Sequence, residues 1–224
     1  MFTSLLKYLQ ILIKEKNNDK TMIRCFDITI SFVAILCLMP VFILSVILSA
    51  CFIGFPPFYR SKRRGYLGKD FDHIKIRTML PGPEIGRVFF ELHRINRVGW
   101  FLRKTHLDEL PDLFHIWKGE MSLVGPRPLI LQALETHKTR IREKVRPGWT
   151  GLAQVQLLKK GVLSKQLQER LDNVYVEKRG FVYNLKIILA TFRYALFGKK
   201  TDLNPDTTDA RIQFQKNGFK YFKR

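Results

Sequence analysis

ITISFVAILCLMPVFILSVILSACFIGFPPFY, residues 28–59, runs from Ile28 to Tyr59 without one charged side chain. About 20 apolar residues are enough to cross a bilayer core as a helix, so this run predicts a membrane segment. It is internal, too long for a signal peptide, and lacks a convincing cleavage site. Pro40 divides it. A proline inside a helix removes one backbone hydrogen bond and clashes with the preceding turn. A single kinked crossing would tolerate that, but the flanks favour another path. Lys14, Lys16, Lys20 and Arg24 precede the run, and Arg60, Lys62, Arg63 and Arg64 follow it. Lys and Arg mark the cytoplasmic side, and here they stand at both ends. The expectation is a re-entrant helix, broken at Pro40, that returns to the face it entered.

Outward from this segment, composition narrows the partners. The 224 residues hold 39 Lys+Arg against 19 Asp+Glu, a formal net charge of +20. Such a balance points to an anionic partner: a phosphorylated small molecule, an anionic lipid headgroup or nucleic acid. Cys25, Cys37 and Cys51 all lie in or beside the apolar run. They lack CxxC spacing, so neither a zinc site nor a disulfide framework is expected, and they read as small apolar fillers. The five histidines, His73, His93, His106, His115 and His137, are scattered without ligand spacing.

The organisation that follows has four parts. Residues 1–22 form an N-terminal amphipathic extension, with Phe2, Leu5, Leu6, Leu9, Leu12 and Ile13 at helical spacing. Residues 23–59 are the re-entrant helix, residues 60–200 a cytoplasmic catalytic domain, and residues 201–224 a basic tail. The fold class is α+β and mainly α, with a β-hairpin and several helices, some on the membrane surface. Arg60 to Met79 reads as the hairpin, with Gly65 and Gly68 as turn positions. Leu80 to Glu84 is a loop. Arg97 to Lys104 is a short helix with Val98, Phe101 and Leu102 inward. Leu129 to Lys144, Ser164 to Lys178 and Phe181 to Phe197 are further helices. Gly125 to Pro128 is a rigid turn, and Arg146 to Gly151 a loop.

Between these elements lies THLDELPDLFHIW, residues 105–117, with the adjacent acids Asp108 and Glu109. Thr105 can cap the next helix in a capping-box arrangement with Asp108; Pro111 then falls late, so a helix start nearer Leu107 or Asp108 is the alternative. Acids at a helix start can serve only the dipole, at about 0.3–1 kcal/mol each. Their company suggests more. Arg103 lies just upstream, Arg127 sits in a Gly-Pro-Arg-Pro turn, and Arg146 opens RPGWTG. An arginine fork binds phosphate oxygens bidentately. Paired carboxylates with fixed arginines are the ingredients of phosphoryl transfer, one acid as nucleophile and acids as Mg²⁺ ligands. Lys75 and Arg77 share a strand face by period-two spacing and could face a substrate or lipid headgroups.

The segments RRGYLGKDF, KIRTM, FLRKTHLDELPDLFHIWKGEMSLVGPRPL and RPGWTGLAQV, in this order, resemble the bacterial sugar transferases of the small, monotopic polyprenyl-phosphate phosphoglycosyl transferase type. The resemblance runs from about Arg24 to Phe197. It implies transfer of a phospho-sugar from a UDP-sugar to undecaprenyl phosphate, giving undecaprenyl-diphosphate-sugar and UMP, as the initiating step of a surface-glycan pathway. It implies Mg²⁺ as cofactor and the bacterial inner membrane as location, with the catalytic domain on the cytoplasmic face. By the same resemblance Asp108 is the nucleophile of a ping-pong scheme and Glu109 assists near the metal. Arg103, Arg127 and Arg146 belong to the phosphate surroundings, and Pro40 is the membrane break. Inner-membrane lipids are implied partners, nucleic acid is not, and a homo-oligomer is compatible. The chain departs from the family pattern in three places: Met39 replaces serine before the proline, Ser61 replaces glutamine, and Gln156-Leu157-Leu158 replaces Asn-Gly-Arg in an expected substrate-facing loop. The rival class is a non-enzymatic, membrane-tethered basic protein that binds nucleic acid or anionic lipid. It gives no role to paired acids beside fixed arginines.

Overall fold

The computed structural model describes residues 2–82, 94–131 and 140–197, with side chains from residue 18 onward. Helix α1 (Phe2–Phe52) is one helical run containing Pro40. The strands β1 (Phe58–Arg64) and β2 (Asp70–Ile76) form the antiparallel hairpin read from the sequence, with Arg60 opposite Ile74. Then come α2 (Arg97–Lys104), α3 (Asp112–Lys118), β3 (Ser122–Val124), β4 (Gly148–Thr150), α4 (Leu152–Lys160), α5 (Lys165–Lys178) and α6 (Phe181–Phe197). The fold is mainly α with a small β component, as expected.

The N-terminal helix contains a stretch, Asn18–Phe52, long and apolar enough to cross a membrane, and only 11% of its most apolar window is buried. A core helix of a soluble protein would hide most of that surface, so this one is a membrane anchor. Leu36, Phe32, Ile43 and Leu44 are among its bare side chains. The buried positions fall into two series spaced by four residues, Ile23, Asp27 and Ser31, then Ser45, Ser49 and, just past the helix end, Ile53. Each series lies on one helix face.

Where the two series dock decides the path. Arg24 donates to the carbonyls of Ile116 and Trp117 at the end of α3, and Asp27 accepts from Ser122 Oγ and Leu123 N. Farther along, Phe42 meets the ring of Phe114, also on α3, at 5.8 Å between centroids. Ser49 then donates to the Arg77 carbonyl. Residues on both sides of Pro40 thus pack against α3. A proline inside a helix is where a kink is expected, and Pro40 stands between the two docked stretches. The expected break does not interrupt the helical run, which continues through the proline.

Two apolar clusters organise the body. Ile116, Met121, Leu123, Val124, Val145, Tyr175 and Ile187 form one, with Phe26 of the first arm of α1 against it. Ile53, Ile76 and Leu102 form the other, with Phe42, Val46 and Leu107 against it. Each arm thus seals one cluster.

Several local expectations change. Phe101 is 46% exposed, since its neighbour Leu102 takes the inward position and one residue is a turn of about 100°. The three cysteines are exposed along α1 rather than filling a core. Of the helix expected over Leu129 to Lys144, the described ends show Ile130 bridging Arg63, helical backbone at Leu131, and a 3-10 turn over Ile141–Lys144. Within RPGWTG, Gly148–Thr150 is a strand parallel to β3. The Gln156-Leu158 stretch is helical, inside α4. The end of the Leu80–Glu84 loop and residues 201–224 lie outside the described residues.

Candidate active site

The acid pair does not open α3. Thr105 ends α2, its Oγ1 donating to the Phe101 carbonyl at 2.7 Å. His106 then takes the left-handed conformation at φ 57°, and Leu107–Glu109 makes a single 3-10 turn. Helix α3 begins only at Asp112, after Pro111. Left-handed backbone at a non-glycine residue is uncommon, and it reverses the chain so that both acids turn inward. Asp108 and Glu109 are 5% and 7% exposed, deep burial for carboxylates.

Cations from two other elements converge on Glu109. Its Oε1 accepts from Lys75 Nζ at 2.5 Å and from Arg127 Nη2 at 3.2 Å. Lys75 comes from β2, and Arg127 from the Gly-Pro-Arg-Pro turn after β3. Burying a carboxylate is costly unless it is paired, and here two cations meet that cost.

The other arginines read from the sequence have structural partners too. Arg103 Nε donates to Thr78 Oγ1 at 2.7 Å. Arg146 Nε donates to the Gly119 carbonyl at 2.7 Å, and its guanidinium lies over the Tyr66 ring. Arg77 lies just past the end of β2 and donates to the Phe55 carbonyl at the exit of α1. Thus Lys75 and Arg127 gather on the acid pair, while Arg77 ties the hairpin to the membrane arm.

Sequence reading passed over a buried network beneath the acids. His73 Nε2 lies 2.8 Å from Asp112 Oδ1, both nearly inaccessible. His115 Nε2 accepts from Ile74 N at 3.1 Å, and its Nδ1 is 2.5 Å from Glu120 Oε2. The two imidazoles stack, with centroids 5.6 Å apart. Bound this way, His115 carries its proton on Nδ1, because Nε2 must accept. Burial pushes the His73 pKa below the ordinary histidine value, although Asp112 opposes the shift. The network fastens β2, and so Lys75, onto α3. The one legible signal was the i, i+3 spacing of Asp112 and His115 on a helix face.

The Gly-Pro-Arg-Pro turn and the Arg-Pro-Gly turn lock together. Gly125 N donates to the Thr150 carbonyl, and Gly148 N to the Pro126 carbonyl. A Cβ at Gly148 would sit 1.9 Å from Gly125 N, so only glycine permits this approach. The small cleft beside them, lined by Arg64, Arg127, Arg142 and Glu143 among others, is strongly basic.

Comparison with known proteins agrees with this arrangement. Residues 18–198 match the family described as bacterial sugar transferase. The chain is 35% identical over 176 residues to the uncharacterized sugar transferase EpsL of Bacillus subtilis, covering 77% of this chain and 86% of that one. It is 34% identical over 188 residues to the exopolysaccharide production protein ExoY of Rhizobium meliloti, covering 75% and 82%. It is 37% identical over 147 residues to the UDP-glucose:undecaprenyl-phosphate glucose-1-phosphate transferase of Caulobacter vibrioides, covering 61% and 55%. With its match extending from the membrane helix through α6, the chain belongs to the bacterial sugar transferase family.

Proposed function

We propose that the protein transfers a phospho-sugar from a UDP-sugar to undecaprenyl phosphate at the cytoplasmic face of the bacterial inner membrane, through a covalent intermediate on Asp108. The observation that carries this reading is a buried acid pair with Lys75 and Arg127 drawn onto Glu109, in a body held against the apolar helix α1. The relative from Caulobacter supports the donor and acceptor by its name. Basic residues flanking both ends of the membrane run support the cytoplasmic placement.

In the first step a carboxylate oxygen of Asp108 forms a bond to the sugar-bearing phosphorus. The phosphoanhydride bond breaks, and UMP departs with that electron pair. In the second step a phosphate oxygen of undecaprenyl phosphate bonds to the same phosphorus, and the Asp108–phosphorus bond breaks. Both steps bring anions together, so cations must screen them. Arg127 and Lys75 hold Glu109 and supply positive charge beside the attacking acid. Two adjacent carboxylates fit Mg²⁺, which binds through one or two carboxylates plus substrate phosphates, and Asp108 and Glu109 would hold it. When bound, it would neutralise charge on the diphosphate.

The test is release of UMP from UDP-sugar before any lipid acceptor is added, as ping-pong kinetics require. Mass spectrometry should find phospho-sugar on the peptide containing Asp108. Asp108→Asn should fold and lose both the burst and turnover. Full activity in that variant would leave the acids a structural role only.

A further inference from the structure

Four successive carbonyls, from Pro126 to Leu129, each accept a hydrogen bond from elsewhere in the fold. Pro126 O takes Gly148 N at 2.9 Å, and Leu129 O takes Arg64 N at 3.2 Å. Pro128 O takes Arg63 Nη1 at 3.0 Å, and Arg127 O takes Arg142 Nη2 at 2.5 Å. The turn needs this outside help, because Pro126 and Pro128 have no N–H with which to brace it. The bond to Arg127 itself comes from a side chain that is 8% exposed. Arg142 is in turn paired across 3.4 Å with Asp172 of α5, 3% exposed. A buried carboxylate on a distant helix thus aims a guanidinium at the one backbone carbonyl whose side chain grips Glu109.

We infer that Arg142 and Asp172 are positioning residues, which hold the backbone of Arg127 so that its guanidinium stays on Glu109 and the substrate phosphate. This inference rests on the transferase reading and extends it to a layer behind the site. Geometry supports action through Arg127 rather than on substrate. Arg142 uses one amine, Nη2, for both the Arg127 carbonyl and Asp172, and a planar, pre-organised guanidinium loses little entropy in such a place. A shift of about 1 Å in a charge-bearing group is enough to slow a reaction strongly.

The experiment is a double-mutant cycle on the full-length enzyme, reading UMP release. Asp172→Asn and Arg142→Lys are each made in the wild type and in Arg127→Ala. The single variants should lower kcat/KM by about five- to tenfold, the size of a coupling within one bonded network. In the Arg127→Ala background the same changes should cost less than about twofold, because the side chain they position is gone. Losses that multiply in the double variants, or a fully active Asp172→Asn, would overturn the inference. Multiplying losses with a raised KM would mean that Arg142 meets the phosphate directly. Should Arg142→Lys not fold, the near-isosteric Asp172→Asn carries the cycle alone. If the wild type releases no UMP, the transferase reading itself fails, an outcome distinct from additivity among active variants.

Discussion

At the scale of single residues, the site is defined by what is buried and what pays for it. Glu109 is buried with Lys75 and Arg127 sharing one of its oxygens. Arg127→Lys should therefore not be conservative. The lysine has no planar fork and cannot grip carboxylate and phosphate together. A charge-assisted bond is worth about 1.5–3 kcal/mol, so turnover should fall by about tenfold or more. Steady-state UMP release, with a melting curve to verify folding, measures this. Near-normal kinetics would return the turn to a purely structural role. His73 offers a second check. Its folded pKa is depressed by burial, so its contribution to stability is present above the ordinary histidine value and is lost as pH falls. His73→Gln should make stability less sensitive to acid on that side, as read from denaturant midpoints across pH. His73 and Asp112 escaped the sequence reading because nothing in a chain order tells which strand will cover which helix.

Among elements, the paired turns carry the argument. The motifs GPRP and RPGWTG were legible as rigid turns holding arginines, but not as partners in one parallel sheet. Two strands of three residues have no periodicity to detect, and their pairing depends on Gly125 and Gly148 meeting backbone to backbone. Gly148→Ala should cost about 3 kcal/mol, because the new methyl group meets backbone atoms that cannot move aside. Chemical denaturation would show it, and an unchanged midpoint would mean that the turns separate easily. The packing of α5 adds a pH dependence of opposite sign to that of His73. Burial raises Asp172 to about 6, against the attraction of Arg142 and with repulsion from Glu169. The folded state therefore holds a proton there that the unfolded chain has already lost. Stability from this group is full below the ordinary carboxylate range and declines as pH rises through about 6. Asp172→Asn should flatten the stability profile between those limits. An unaltered slope would show that Asp172 titrates normally.

Across the whole molecule, the long helix α1 is the largest single feature, and the body contacts it on both sides of Pro40. Arg24 caps the last carbonyls of α3, where a cation suits the helix dipole. Pro40→Leu should favour a straight helix and so pull Phe42 and Ser49 away from Phe114 and the Arg77 carbonyl. Lower thermal stability in detergent and weaker turnover should follow. A variant as stable and active as the wild type would mean that Pro40 is not needed for this docking. Cysteine labelling gives the matching topological test. A label added at the N-terminus and Lys69→Cys should both resist reagent applied outside intact cells. Labelling at one and not the other would refute the return path. The bare outer face of α6, with Leu189, Phe192 and Leu196 each more than 60% exposed, is apolar enough to rest on a lipid surface.

The membrane segment, the hairpin, α2, α5 and α6 were all readable from the chain, because each rests on local information. An uncharged run, a turn with glycines, or a repeat of apolar positions signals itself over ten or twenty residues. The acid pair and the arginines stood out in the sequence for a similar reason, their types and spacing being unusual in one stretch. Which of those arginines would face the acids was decided only by tertiary structure. Arg127 and Lys75 reach Glu109, Arg103 bonds Thr78, and Arg146 and Arg77 donate to backbone carbonyls. The same holds for His73 with Asp112 and for Arg142 with Asp172. These pairs lie far apart in the chain, and burial gives such contacts their strength by removing the water that would otherwise screen them. Sequence composition cannot state in advance which charges the folded chain will bring together out of water.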